Sequence, residues 1–139
     1  MSYASTYQLN PADRIVTPWL QTGLAKHHAI YLGFNDDGQE LIAENDTHAG
    51  VRIVTAQQFA QEHPVVSRIE KFQGNYFQRN AAVRTAVNLE GKLYDLFSYN
   101  CEHYANQVQH GRAESQQVRN FFLLAGLVAF GFILVGDNR

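Results

Sequence analysis

The chain has 139 residues, of which 45% are hydrophobic and 17% charged, a composition typical of a folded globular protein and not of a disordered one. The formal net charge is −2 and Lys and Arg form no dense stripe, which argues against nucleic acid as a partner because a phosphate-binding surface needs clustered positive charge. The single Cys excludes an intramolecular disulfide and a thiolate-rich metal site, and the length allows one domain.

The first 25 residues predict a loop-rich entry to the domain. They are polar and are interrupted by Pro11, Pro18 and Gly23, with one short strand expected at Arg14–Val16. They contain no basic region followed by an apolar run, so a secretory signal is not expected.

The next segment predicts a β-hairpin and a third strand. His27–Leu32 and Glu40–Glu44 are apolar stretches that flank the residues Asn-Asp-Asp-Gly at 35–38, which suit a tight turn. Gly50 then precedes the alternating, β-branched run at 51–55, which is typical of a strand.

Helices dominate the remainder of the predicted domain. Thr55 is the expected N-cap of a short helix that ends before Pro64. The alternating run Val65–Phe72 predicts another strand, and apolar spacing predicts a helix over Gln78–Glu90. Residues 92–99 are expected to form a loop or short strand, followed by a helix that begins after Asn100 and ends at Gly111. This order favours an α+β domain, in which an antiparallel sheet has its helices packed on one side.

Cys101 lies where that last helix should begin. A thiol in the first turn faces unpaired backbone N–H groups and the positive end of the helix dipole, and both favour the nucleophilic thiolate. The same N–H groups are suited to holding a tetrahedral oxyanion. The alternative is a buried free cysteine that acts as a small apolar residue.

Six histidines are candidates for the base. His27 and His28 begin the first hairpin strand and point to opposite faces, and the apolar pattern does not choose between them. His103 lies two residues after Cys101, about 200° around the helix, so a structural role is expected for it. The other three are expected on the solvated surface: His48, His63 and His110. No spacing indicates a metal site, and no cofactor is expected.

Two motifs together resemble the lecithin retinol acyltransferase family. The segment HHAIYLG at 27–33 is similar to that family's H-x-A-I-Y-x-G strand, and NCEHY at 100–104 is similar to its N-C-E-H-F motif. The histidine comes first and the cysteine roughly seventy residues later, which is the circularly permuted order of the papain-like NlpC-type enzymes. The resemblance covers roughly His27–Gly111 and implies a permuted papain-like core within a catalytic domain at 26–112.

The resemblance also implies site residues. The family's nucleophile falls on Cys101 and its base on His27, two positions before the A-I-Y. The residue that orients the base lies on the next strand of the hairpin and is usually His, but this chain has no His there. Mirroring His27 about the turn predicts Asn45 for that role, with Glu44 as the fallback, because an Asn can accept the imidazole N–H as in papain-like triads.

The C-terminal segment is apolar. After a predicted linker at 113–120, Phe121–Gly136 has sixteen residues without a charge, which as a helix would extend about 24 Å, short of the roughly 30 Å hydrocarbon core. An in-plane helix and a buried core helix are alternatives. The expectation is a single-pass C-terminal membrane anchor, projecting away from a cytoplasmic catalytic domain.

The resulting functional hypothesis is a thiol-dependent acyltransferase or hydrolase. The resemblance implies a Cys acyl-enzyme and a lipid ester or amide as substrate, with phospholipid and the membrane as expected partners. Two alternatives stay open at this point. One is a cysteine peptidase or amidase, and the other is a membrane-tethered binding protein whose Cys and His are not catalytic.

Overall fold

The structure, a computed structural model, describes residues 1–19 and 25–136. Ten elements follow one another along the chain: α1 (Tyr3–Tyr7), β1 (Arg14–Pro18), β2 (Lys26–Phe34), β3 (Glu40–Asp46), β4 (Gly50–Thr55), α2 (Ala56–Glu62), β5 (Arg68–Glu70), α3 (Tyr76–Asn88), α4 (Cys101–His110) and α5 (Gln116–Gly136). The α+β class and the hairpin around residues 35–38 are confirmed.

The five strands form one antiparallel sheet in the order β4-β3-β2-β1-β5. The strand predicted at Val65–Phe72 is shorter than expected, since only Arg68–Glu70 pairs with β1. Within residues 92–99, Asp95 and Tyr99 form an isolated β-bridge, which is not extended into a strand. The central strand β2 carries the His27 motif and therefore lies in the middle of the domain.

Helices cover both faces of the sheet, which corrects the prediction of helices on one side only. Alternate residues of β2 belong to two different cores: Ala29 and Tyr31 pack with Phe59 of α2, whereas Ile30 packs with Tyr104 of α4. Because side chains of a strand alternate between faces, a strand covered on both sides buries residues that point to either face. Both His27 and His28 are accordingly buried.

A β-bulge in the hairpin sets its register. Tyr31 pairs with Ile42, but Gly33 pairs with Leu41, so β2 carries one extra residue at this point. Gly33 has φ +100°, a conformation that residues with a Cβ rarely adopt. On the far side of the bulge, Glu44 pairs with Ala29, and this pairing decides which β3 residue faces His27.

Capping side chains fix where the helices begin. Thr55 accepts a hydrogen bond from the Gln58 backbone N–H at the start of α2, as predicted. Asn75 caps α3, which begins at Tyr76, two residues before its predicted start. Asn100 caps α4, and Gly111 ends it in the left-handed conformation at φ 72°.

The last helix, α5, begins at Gln116 and not at Phe121 as the sequence predicted. Residues 116–120, which were expected in the linker, therefore belong to the helix. The Ser115 hydroxyl accepts a hydrogen bond from the Val118 N–H, which satisfies one donor of the first turn. Ser115 also donates to Glu102, at 2.6 Å, and so ties the start of α5 to α4.

The predicted membrane-spanning anchor is not supported. Among the residues that the structure describes, no helix combines the length and the apolar character needed to cross a bilayer. The first part of the apolar segment nevertheless exposes large side chains along α5, including Phe121, Phe122 and Leu127.

Candidate active site

Cys101 is the first residue of α4. The Asn100 side chain accepts hydrogen bonds from the N–H groups of Glu102 and His103, and His103 Nδ1 accepts from the Asn100 N–H, so the turn that carries the thiol is held from both sides. The Cys101 thiol lies 3.6 Å from the carbonyl oxygen of Lys26. The helix start thus places the sulfur beside the first residues of β2.

His27 follows Lys26 and lies between the thiol and an acid. Its Nε2 is 2.5 Å from Glu44 Oε2. Burial alone would lower the pKa of His27, but hydrogen bonds to Cys101 and to Glu44 outweigh burial and raise this pKa to about 9. Because Nε2 is occupied by Glu44, Nδ1 is the ring nitrogen left for the thiol.

Glu44 is fully buried, and both of its carboxylate oxygens have hydrogen-bond partners. Its Oε1 accepts two hydrogen bonds from Arg52, at 2.6 and 3.0 Å, while Oε2 faces His27 and, at 3.2 Å, His63. Burial acts to raise the pKa of Glu44, but the hydrogen bonds from the two histidines hold it well below its ordinary value. The carboxylate is therefore charged when it faces the imidazole.

The structure does not bring Asn45 to His27, and the predicted contact is corrected to Glu44. Asn45 lies on the opposite face of β3, where its Nδ2 donates to the Tyr99 carbonyl at 2.8 Å. Counted back from the Phe34–Glu40 pair without the bulge at Gly33, Asn45 would pair with Ala29 and share the face of His27, but the extra residue in β2 exchanges the faces and gives Glu44 that place. A glycine inside a strand pattern was the signal that could have revealed it.

His63 was predicted on the solvated surface, but it belongs to this cluster. Its ring stacks on that of His27 with centroids 4.6 Å apart and 14° between the planes. It follows α2, and the Phe59 ring of that helix packs against it at 4.6 Å. Sequence spacing gave no signal for this contact, because the two histidines meet only through the packing of α2 on the sheet.

The other histidines lie outside the cluster. His28 is buried on the α4 face, where burial and the nearby Arg14 lower its pKa to about 4. His103 serves the cap of α4, which agrees with the structural role expected for it. His48 and His110 are exposed, as predicted.

A cavity of about 300 Å³ opens beside Cys101 and His27. Its walls are mainly apolar and aromatic, with a few polar groups near the thiol. The residues that line it, among those the structure describes, include Trp19, Asn45, Tyr94, Leu96, Phe97, Val118 and Phe121. Such a pocket suits a ligand with a long apolar part and one reactive polar group.

The backbone N–H groups for an oxyanion are fewer than predicted. Those of Glu102 and His103 are already bonded to the Asn100 side chain, at 2.9 and 3.1 Å. In the first turn this leaves the N–H of Cys101 itself as the candidate donor, since the Tyr104 N–H bonds the Asn100 carbonyl.

The sequence of the chain is similar to that of a known family. The family model described as lecithin retinol acyltransferase matches residues 8–114. The chain belongs to this family. Two curated relatives share 39% identity with the chain over 51 residues: phospholipase A and acyltransferase 3 from Homo sapiens and its counterpart from Pongo abelii. The matched segment is 35% of this chain and spans about a third, 32%, of each relative.

Proposed function

We propose that the chain is a thiol-dependent lipid acyltransferase or phospholipase, with Cys101 as nucleophile, His27 as base and Glu44 as the residue that orients the base. The observation that carries this proposal is that Cys101 and His27 line one mainly apolar pocket, while Glu44 Oε2 lies 2.5 Å from His27 Nε2. The names of the two relatives agree with acyl chemistry on lipids.

The chemistry follows from where the protons lie. Glu44 accepts the Nε2–H of His27, which leaves Nδ1 to take the proton of Cys101. The thiolate then attacks the ester carbonyl carbon, and the C–O bond breaks as His27 protonates the leaving alcohol. Water or an acceptor hydroxyl or amine next attacks the thioester, gives its proton to His27, and releases the thiol.

Apolar side chains around the pocket favour an acyl lipid over a peptide. Phe97 packs with Phe121 and Phe122, with centroids 5.6–5.8 Å apart, at the start of the exposed apolar part of α5. A large exposed apolar surface marks a partner or membrane contact. We infer that this aromatic cluster rests on the lipid surface, so that an acyl chain can enter the pocket without crossing water.

The test of activity is incubation of the purified protein with defined phospholipids, with products and the intact protein followed by mass spectrometry. We expect a lysophospholipid product and a protein mass increased by one acyl chain, on Cys101. Cys101→Ser should show neither thioester nor product, while the exposed-residue control His48→Gln should match the wild type. A phospholipid turnover that survives Cys101→Ser would refute the proposal.

The lipid contact has a separate test. Replacing Phe122 and Leu127, exposed residues of α5 that do not line the pocket, by Gln should lower turnover on vesicles severalfold but leave turnover of a dispersed short-chain ester within about twofold, because only the first substrate requires docking. An equal loss on both substrates would place these side chains in the pocket function and not in docking.

A further inference from the structure

The cluster behind the candidate thiol has the composition of a zinc site. His27, Glu44 and His63 each offer one donor atom, and these atoms all lie within 4.8 Å of one another. Two imidazoles and one carboxylate are a set of ligands that binds Zn²⁺ in proteins, with a further position open for water. We propose that Zn²⁺ binds His27, Glu44 and His63 and thereby reversibly silences the enzyme.

The spacing of the donors is close to what the ion requires. Zn–N and Zn–O bonds are about 2.0–2.2 Å, so two ligand atoms of a tetrahedral ion lie about 3.3 Å apart. His63 Nε2 and Glu44 Oε2 are already 3.2 Å apart. His27 Nε2 and Glu44 Oε2, at 2.5 Å, must separate by under about 1 Å.

The surroundings hold the ligands ready. Arg52 donates two hydrogen bonds to Glu44 Oε1, and Oε2 therefore remains available to both imidazoles. Phe59 packs against the His63 ring and fixes the stack on His27. The ion has an entrance, because His27 and His63 line the pocket and the His63 side chain is 20% exposed.

Binding of zinc would remove the base from the reaction. A ring nitrogen that binds the metal carries no proton, so the single proton of a neutral imidazole moves, by exchange with water, from Nε2 to Nδ1. The neutral His27 ring then keeps its one proton on Nδ1, the nitrogen that faces the thiol, and cannot accept another. This inhibition rests on the proposed function, whereas the binding of zinc does not.

The binding experiment uses untagged full-length protein and ZnCl₂ in competition with a chromophoric chelator. We expect one ion per chain and a weakening of about tenfold or more in His63→Gln and in Glu44→Gln, since loss of a ligand costs at least as much as loss of an outer-shell partner. Cys101→Ser should bind as the wild type does. His48→Gln is the matched control, an exposed histidine outside the cluster.

Two results would overturn the proposal. One is wild-type affinity in His63→Gln; the other is loss of binding in Cys101→Ser, which would place zinc between Cys101 and His27. A Co²⁺-substituted sample gives a check on the ligands, because a thiolate-to-cobalt absorption band must be absent. In turnover assays, the rate of each variant is expressed relative to its own rate without zinc. On this scale, His63→Gln should need about tenfold more zinc than the wild type for half inhibition. If the protein binds zinc in this pattern but turns over no lipid, the proposed function is refuted and the proposed zinc site stands.

Discussion

The two faces of β2 place adjacent histidines in opposite environments. His27 lies on the α2 face against the charged Glu44, and its pKa is raised to about 9. His28 lies on the α4 face, where burial and then Arg14 lower its pKa to about 4 and its Nδ1 has no hydrogen-bond partner among the described residues. Both side chains are almost fully buried, so burial itself does not separate them.

What separates them is their partners. Hydrogen bonds to Cys101 and to the Glu44 carboxylate stabilise the imidazolium of His27, whereas the guanidinium of Arg14 opposes a positive charge on His28. Only His27 also lines the pocket that contains Cys101. The sequence His-His offers two equal bases, and the packing of α2 and α4 on opposite faces assigns them different chemistry.

The largest expected effect comes from exchanging each histidine for Gln. His27→Gln should lower kcat for phospholipid by about 10²–10⁴-fold, the usual contribution of a general base. His28→Gln should stay within about threefold, because its ring faces away from the pocket. Steady-state kinetics on both variants measures this contrast. Comparable losses in the two variants would show that the face of the sheet does not decide the role.

The next effect separates Glu44 from Asn45. Glu44→Gln should lower kcat on the order of 10²-fold with a smaller change in KM, since orienting the base matters mainly in the transition state. Asn45→Ala should lower kcat only severalfold. It removes the hydrogen bond to the Tyr99 carbonyl, two residues before Cys101, and should destabilise the fold by about 1–3 kcal/mol.

A reading of the folded fraction by circular dichroism accompanies both variants. If Glu44→Gln unfolds, Arg52→Gln provides a second measurement, because it leaves the carboxylate in place and removes only its support. A kcat loss for Asn45→Ala that exceeds the one for Glu44→Gln would return the orienting role to Asn45.

The two faces should also respond to pH in opposite directions. The pKa of His28 is about 4 in the folded protein and 6.5 in the unfolded chain, so the folded state binds fewer protons between these values and its stability falls as pH decreases from 6.5 to about 4. The pKa difference of 2.5 corresponds to roughly 3 kcal/mol. His27 behaves in reverse, since its stabilisation is complete below pH 6.5 and is lost as pH rises through about 9.

Urea unfolding at a series of pH values tests this comparison. The wild type should lose roughly 3 kcal/mol more than His28→Gln between pH 6.5 and 4, and His27→Gln should lack the alkaline loss. Parallel curves for wild type and His28→Gln on the acid side would mean that His28 already carries its proton in the folded state.

Much of this site could be predicted from the sequence, because its signals are local. Asn100 before Cys101 is an N-cap whatever surrounds it, and the turn at residues 35–38 fixes which strands pair. The His27 motif identified the strand that carries the proposed base. These features depend on a few neighbouring residues, which is why the two motifs were sufficient for the family.

The remainder depends on packing between distant elements. His63 contacts Glu44 only because α2 packs on the face of the sheet that carries His27. Nothing near residue 63 in the sequence signals that contact. The choice of Glu44 over Asn45 depends on one bulge residue in β2. A prediction that counts positions from the turn cannot include it unless a glycine in the strand is taken as a bulge.

The smallest expected effect tests that bulge through Gly33. At φ +100°, a side chain is strained, and a Cβ on Gly33 would lie 3.1 Å from Pro11 Cγ. Gly38 in the hairpin turn is the matched control, with φ +75° and no atom within 4 Å of its Cβ position. Gly33→Ala should therefore destabilise the protein by about 1–3 kcal/mol and Gly38→Ala by about 1 kcal/mol, measured by urea unfolding. Because the bulge sets the pairing of Glu44 with Ala29, Gly33→Ala should also lower kcat severalfold, whereas Gly38→Ala should not. Equal effects of the two substitutions on kcat would show that the register holds without the bulge, and that Glu44 is placed by its contacts with Arg52 and His63 instead.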